Sequence, residues 1–375
     1  MLSDASPPTR TWRQQPSPLA RLAAAAWALV VIYISLTPFS GWRDNGLGAL
    51  DFLTAPPQRY ISSLDIAVNV AGYLPLGALV AWSLHPRLRG PVAAIVAALA
   101  CALLSGAMEA LQTWLPNRVA SNLDLGANAV GGAIGALLGA ASGPALLDRS
   151  RLRQWRNRWF ARDASVGLVL AGLWLLAQLP PQTLPFGTGR IVSPLFDAFA
   201  RLLGEPLDQP EWWTLSAGRA IAFEAASAAS GLGAGALFAL ARMRSVVPLL
   251  PRLLIVLAFV LLALLLRCVG DALMFMPDDW LIWATPGARL GIAGGLALAL
   301  LLAALPAGAR RGAFWLLLAA SLAIVNLAPD NPYLEATFAS SHAAGWRHVR
   351  ALLGALALAW PLLAAIHLWH RPIDR

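Results

Sequence analysis

Eight polar residues between positions 65 and 128 have the types and spacing to do chemistry. Asp65 and Asn69 are four residues apart, so on a helix they share one face. Glu109 and Gln112, three apart, do the same, and so do Asp124 and Asn128. Between them the stretch Trp114-Leu115-Pro116-Asn117-Arg118-Val119-Ala120-Ser121-Asn122-Leu123 contributes Arg118 and Ser121. Such a set suits a ligand site for an amphiphilic envelope molecule. Arg118 would meet a phosphate or carboxylate in a charge-assisted fork, and the amides would meet sugar or peptide groups. Three carboxylates also allow a divalent cation at Asp65, Glu109 and Asp124, since hard cations favour oxygen ligands. A proton or ion route through the carboxylates is a further alternative, and it requires a raised carboxylate pKa. A fourth reading is structural: the groups hold three helix ends together, with Arg118 paired to Glu109 or Asp124.

Catalysis is less favoured, although hydrolytic carboxylate pairing stays open. The chain has no His-Glu-x-x-His, no nucleophile elbow, no phosphate loop and no cysteine cluster. Ser121 fits a helix cap better than a nucleophile. No cofactor is called for. The two cysteines, Cys101 and Cys268, both sit in apolar runs, which argues against a disulfide framework.

Everything around these residues is apolar. Of 375 residues, 58% are hydrophobic and only 13% are charged, and mean hydropathy is +0.63. Soluble domains carry about 25% charged residues, so the composition points to an all-α, polytopic membrane helix bundle. Crossing a bilayer core takes about 20 mostly apolar residues. Windows of that kind fall near 21–38, 65–84, 91–113, 122–146, 164–180, 219–241, 252–276, 287–306, 313–328 and 350–370, which predicts about ten spans, the ninth the shortest.

All 28 basic residues are arginine, and the net charge is +9. They punctuate apolar stretches and do not form a solvated face, so they read as orientation charge and not as a nucleic-acid surface. With the N-terminus in the cytoplasm, 18 of the 28 fall on inner segments, six of them between Asp148 and Asp163. The outer loops then carry acids, among them Asp44, Asp51, Asp208, Glu211, Asp278, Asp279, Asp330 and Glu335. This predicts a bacterial inner-membrane protein with both termini cytoplasmic. It also predicts a polar tail over 1–20, a four-helix domain over 21–147, an arginine-rich linker over 148–163 and a six-helix region over 164–375. Glu109 lies ~27 Å along the helix from Pro91, so Asp65, Glu109 and Asp124 all come to one depth near the outer border. Ionisable groups placed there mark function by default.

Gly131, Gly135 and Gly139 recur every four residues, a ladder that lets another helix approach closely. Pro75 removes one backbone hydrogen bond from the second span. The pattern Asp65-x3-Asn69, then Leu74-Pro75-Leu76-Gly77, then Glu109-x2-Gln112-x3-Pro116-x-Arg118-x2-Ser121-x2-Asp124-x3-Asn128-x2-Gly131-x3-Gly135, resembles the VanZ-like family over residues 20–146. The resemblance implies an integral membrane protein associated with low-level teicoplanin resistance. It implies no settled reaction. Its partners would be the bilayer and an envelope lipid or glycopeptide, with no nucleic acid. A transporter or flippase with a carboxylate-gated path, and a membrane scaffold, are the competing functions.

The second half carries echoes of the first. Asp271-Ala272-Leu273 follows Glu109-Ala110-Leu111 at an offset of 162, and Gly291 and Gly295 follow Gly131 and Gly135 at 160. Either a degenerate four-helix parallel repeat or chance likeness of two glycine-rich helices gives such a pattern. Arg267 and Asp271 are four apart and suited to pair, and Glu224 also lies in an apolar window. Residues 191–203 have amphipathic helical spacing and are expected on the outer membrane border, with Trp212 and Trp213 as anchors at that depth.

Overall fold

A computed structural model describes residues 16–56, 63–148, 151–161, 163–179, 184–204, 216–274, 280–329 and 347–370. Trp212 and Trp213, and the acids Asp208, Glu211, Asp278, Asp279, Asp330 and Glu335, lie outside these residues. Among the described residues the fold is all-α, as the composition predicts. Nine helices among the described residues are long and apolar enough to cross a membrane. The chain is a multi-pass membrane protein.

The chain divides into two compact units, the first made of Met1–Val31 with Gly41–Trp155, the second of Ile32–Ser40 with Arg156–Arg375. Unit 1 holds most of α1 (Pro18–Leu36), then α2 (Ser63–Leu84), α3 (Gly90–Gln112) and α4 (Asn122–Gly143), which runs on through a wide π turn at Pro144–Asp148. Each helix end has a local cause. The α3 start has Pro91 in its first turn, where a missing N–H costs nothing. The α4 start is capped by Ser121, whose hydroxyl accepts from the Asp124 N–H. α2 passes through Pro75 without ending.

The glycine ladder explains the packing of unit 1. Gly131 lies on the backbone of Val70, Gly135 on that of Leu74 and Gly139 on that of Ala78. The contacts advance together along both helices, so α2 and α4 run parallel, backbone against backbone. α3 packs against both α2 and α4, with Cys101 against Gly132 and beside Tyr73 and Leu76. α1 is held by the Trp27 indole N–H, which donates to the Gly72 carbonyl at 2.9 Å, and by Val31 against Tyr73, Leu76 and Cys101. Leu99, Leu103, Leu137 and Leu138 are exposed, the outward apolar face that lipid contact requires. At the far end of the unit, His85 Nε2 and Asp148 Oδ1 are 2.7 Å apart.

Unit 2 is built around α8 (Ala217–Leu240), buried continuously from Ser230 to Leu240. Around it stand α6 (Ser165–Leu176), α9 (Leu249–Met274), α10 (Pro286–Ala303), α11 (Ala307–Leu327) and α12 (Arg347–Trp369). Trp174, Phe259, Phe238 and Trp360 form its aromatic centre, and Gly235 makes room for the Trp174 ring. Arg242 at the end of α8 pairs with Asp163. Two shorter helices complete the chain, the arginine-rich α5 (Arg151–Trp159) and the amphipathic α7 (Val192–Leu203).

Two sequence expectations need correction. The fifth window, 164–180, yields only the 12 residues of α6 and does not make a full span. Its helix stops at Leu176, and the chain turns through Gln178, a fully buried amide whose Nε2 donates to the Trp174 carbonyl at 3.0 Å. The ninth window is not short: α11 begins at Ala307 and takes Arg310 and Arg311 into its first turns. Arg310 is buried there because its guanidinium donates to the Leu305 carbonyl, which satisfies a helix-end acceptor.

Candidate functional site

The polar residues of unit 1 meet at the ends of three helices. Asp65 and Asn69 lie in the first two turns of α2, Glu109 and Gln112 in the last turn of α3, and Asp124 and Asn128 in the first two turns of α4. The parallel course of α2 and α4 puts Asn69 beside Asp124, and its Nδ2 donates to Oδ1 at 2.8 Å. The Asp65 carboxylate lies within electrostatic reach of Asp124.

Glu109 is buried, and its Oε2 accepts from the Ser121 backbone N–H at 2.8 Å. That bond latches the end of α3 to the start of α4 across the intervening loop. Arg118 sits in this loop, near both Glu109 and Asp124. Burial lowers its pKa, and the two facing carboxylates counter that shift. Gln112 and Ser121 are buried at the same end. One turn deeper, Asn128 Nδ2 donates to Ser105 Oγ at 2.9 Å, and Tyr73 lies near Ser105 and Glu109. The expected eight residues therefore form two layers: an outer one with Asp65, Asn69, Arg118 and Asp124, and an inner one with Glu109, Gln112, Ser121 and Asn128.

Ser105 and Tyr73 belong to the inner layer and are not marked by the sequence, because a lone serine or tyrosine in an apolar helix has no distinguishing spacing. The sequence also gives no sign of the cover over this end. The segment between α1 and α2 returns onto the 113–122 loop. Arg43 N donates to the Trp114 carbonyl at 3.0 Å, and Asn45 Nδ2 to the Thr113 carbonyl at 2.9 Å. Asn122 Nδ2 bonds the Ala55 carbonyl at 2.9 Å, and Gly41, at φ +77, comes against Pro116. Phe52 is buried, while Trp42, Leu47, Leu50 and Leu53 are exposed along the same segment. The polar end is thus bordered by outward apolar side chains.

Chemically, the arrangement can recognise a polar group at a membrane border by charge and amide hydrogen bonds. Among the described residues, no three His, Cys, Asp or Glu side chains gather as a metal-ligating group. Asp65, Glu109 and Asp124 are therefore not such a group.

Neither a curated protein nor a solved structure matches the chain. Residues 7–142 match the family model described as VanZ/LLP1. That match spans α1 to α4, and with it the N-terminal region, polar end included, is identified as a VanZ-like domain.

Proposed function

We propose that the polar end of unit 1 binds the polar part of an amphiphilic envelope molecule, a lipid-linked wall precursor or a glycopeptide-type antibiotic, and that this binding supports low-level teicoplanin resistance. The observation that carries the reading is one juxtaposition. Carboxylates, amides and Arg118 are concentrated at one end of membrane-crossing helices, beside the exposed Trp42, Leu47, Leu50 and Leu53. A ligand with a polar head and apolar body fits both halves of that surface. The arginines between α2 and α3 and those following α4 support placing this end on the periplasmic side of a bacterial inner membrane, with the N-terminus in the cytoplasm.

The test is teicoplanin susceptibility of a sensitive host that expresses the wild type, Asp65→Ala, Arg118→Ala or Asp124→Asn, with membrane accumulation of each protein measured by immunoblot. Lost protection with accumulation kept supports the site. If all three variants protect as well as the parent, the reading is refuted. If protection falls only as the protein disappears, the same groups are a structural scaffold and not a binding site.

A further inference from the structure

The polar end of unit 1 has a counterpart in unit 2, and the correspondence is geometric. In unit 1, Gly131 and Gly135 of α4 rest on the backbones of Val70 and Leu74 of α2. In unit 2, Gly291 and Gly295 of α10 rest on the backbones of Ala225 and Ala229 of α8. Both helix pairs are parallel, and both keep the four-residue step. This register equates residue 69 with 224, and those two positions behave alike. Asn69 bonds Asp124 at the start of α4, and Glu224 accepts from Thr285 at the start of α10. Thr285, four residues further along than Ser121 in this register, caps α10 by the same device, its hydroxyl accepting from the N–H three residues on. The middle helix agrees as well. Glu109 takes the backbone N–H of the residue twelve positions later, Ser121. Asp271 lies within electrostatic reach of the backbone N–H of the residue twelve positions later, Trp283.

The contents of the inner layer differ in a compensating way. Unit 1 fills it with Tyr73, Ser105 and Asn128. The equivalent positions in unit 2 are Ala228, Arg267 and Ala288, so two side chains become small where the third becomes large. Ala228 and Ala288 are both 0% exposed, and Arg267 is 5% exposed. Arg267 Nε lies 3.9 Å from Asp271 Oδ1, and Asp271 is 1% exposed. The carboxylate that unit 1 leaves to the loop residue Arg118 is met in unit 2 from within its own helix.

We propose that unit 2 contains a second copy of the α2–α3–α4 plan whose polar end has been closed, with Arg267 filling the volume that Tyr73 and Asn128 fill in unit 1 and serving as the built-in counter-ion of Asp271. The Arg267–Asp271 pair is then a structural lock on α8, α9 and α10, and ligand recognition belongs to unit 1 alone. The duplication stands whether or not unit 1 binds the ligand proposed above.

The test is a cycle of variants in the full-length protein, solubilised in detergent and followed by thermal unfolding. Ala228→Tyr in the wild type has no room and lowers the melting temperature, by about 5 °C or more for an overpacked site. Arg267→Ser/Asp271→Asn removes the pair without leaving a lone charge and also lowers it, because a cavity remains. Adding Ala228→Tyr to that background raises the melting temperature again. Reversal of the sign of the tyrosine's effect supports the exchange. Equal losses in both backgrounds overturn it. Should Arg267→Ser/Asp271→Asn fail to accumulate, adding Ala228→Tyr and Ala288→Asn must restore accumulation, and failure to do so overturns the proposal equally.

Discussion

Replacing Gly135 with alanine tests whether the α2–α4 contact holds the polar end together. A methyl group there would sit on the carbonyl oxygen of Leu74, 2.8 Å from its carbonyl carbon and 3.0 Å from Ala78 N. All three atoms are backbone, so no rotamer change relieves the contact. Ordinary carbon contacts begin near 3.5 Å, so the helices must separate locally by about 1 Å. Overpacking of this kind costs about 1–3 kcal/mol, against the ~0.5–1 kcal/mol that alanine gains over glycine inside a helix. Gly72 supplies the control: it is helical, and a methyl there meets nothing within 4 Å. Gly72→Ala should therefore match or exceed the parent in thermal stability, while Gly135→Ala falls below it by several degrees, at roughly 2–4 °C per kcal/mol for a unit of this size. The assay is fluorescence-detected size-exclusion of heated, detergent-solubilised protein. The separation also pulls Asn69 away from Asp124, so Gly135→Ala should weaken any ligand response even at temperatures where the protein is folded. If Gly135→Ala is as stable as Gly72→Ala, α2 and α4 are not in backbone contact and the geometry of the site falls with them.

Glu109→Ala leaves the buried Ser121 N–H without its acceptor, a loss of about 1–3 kcal/mol, whereas Glu109→Gln keeps a carbonyl for it. Melting temperatures should order as wild type, Glu109→Gln, Glu109→Ala, and equal values for the last two would remove the latch. Asp163→Ala strips the buried Arg242 of an ion-pair partner in unit 2 and should lower stability, while Asp163→Ala/Arg242→Met recovers part of it; additive losses would count against the pair. The α7 helix presents Leu195, Phe199 and Leu202 outward, and its first N–H groups are fixed by Asn326 at the end of α11, with Ile191 N 2.7 Å and Val192 N 2.9 Å from its Oδ1. Nitroxides at those three positions should be oxygen-accessible and shielded from aqueous nickel, as at a membrane border; strong nickel accessibility at all three would place the helix in water.

Much of the polar end is legible in sequence because it depends on helical arithmetic. The three-residue and four-residue pairs at 65/69, 109/112 and 124/128 need only helix faces and a common depth. What the sequence conceals is tertiary. Nothing in Arg43, Asn45 or Asn122 announces that backbone carbonyls of distant loops will be their partners. The fifth window reads as a span because hydropathy sums over residues and does not see Gln178 turning back onto the helix end. The echo between the halves is visible in α9 and α10, at offsets of 162 and 160, but invisible in α8, where the offset is 155 and asparagine has become glutamate. Loop lengths changed between copies, so only the glycine-to-backbone register aligns them.

The parallel course of α2 and α4 has an electrostatic consequence. Two helix N-termini open at the same end, and each macrodipole presents about half a positive charge there. Asp65 and Asp124 occupy the first turns and offset it. The matching starts of α8 and α10 have no first-turn acid and instead carry the exposed Arg219 and Arg289. The chain thus holds two similarly built helix mouths of opposite local polarity. Neutralising the two aspartates would shift the field of the first mouth toward that of the second.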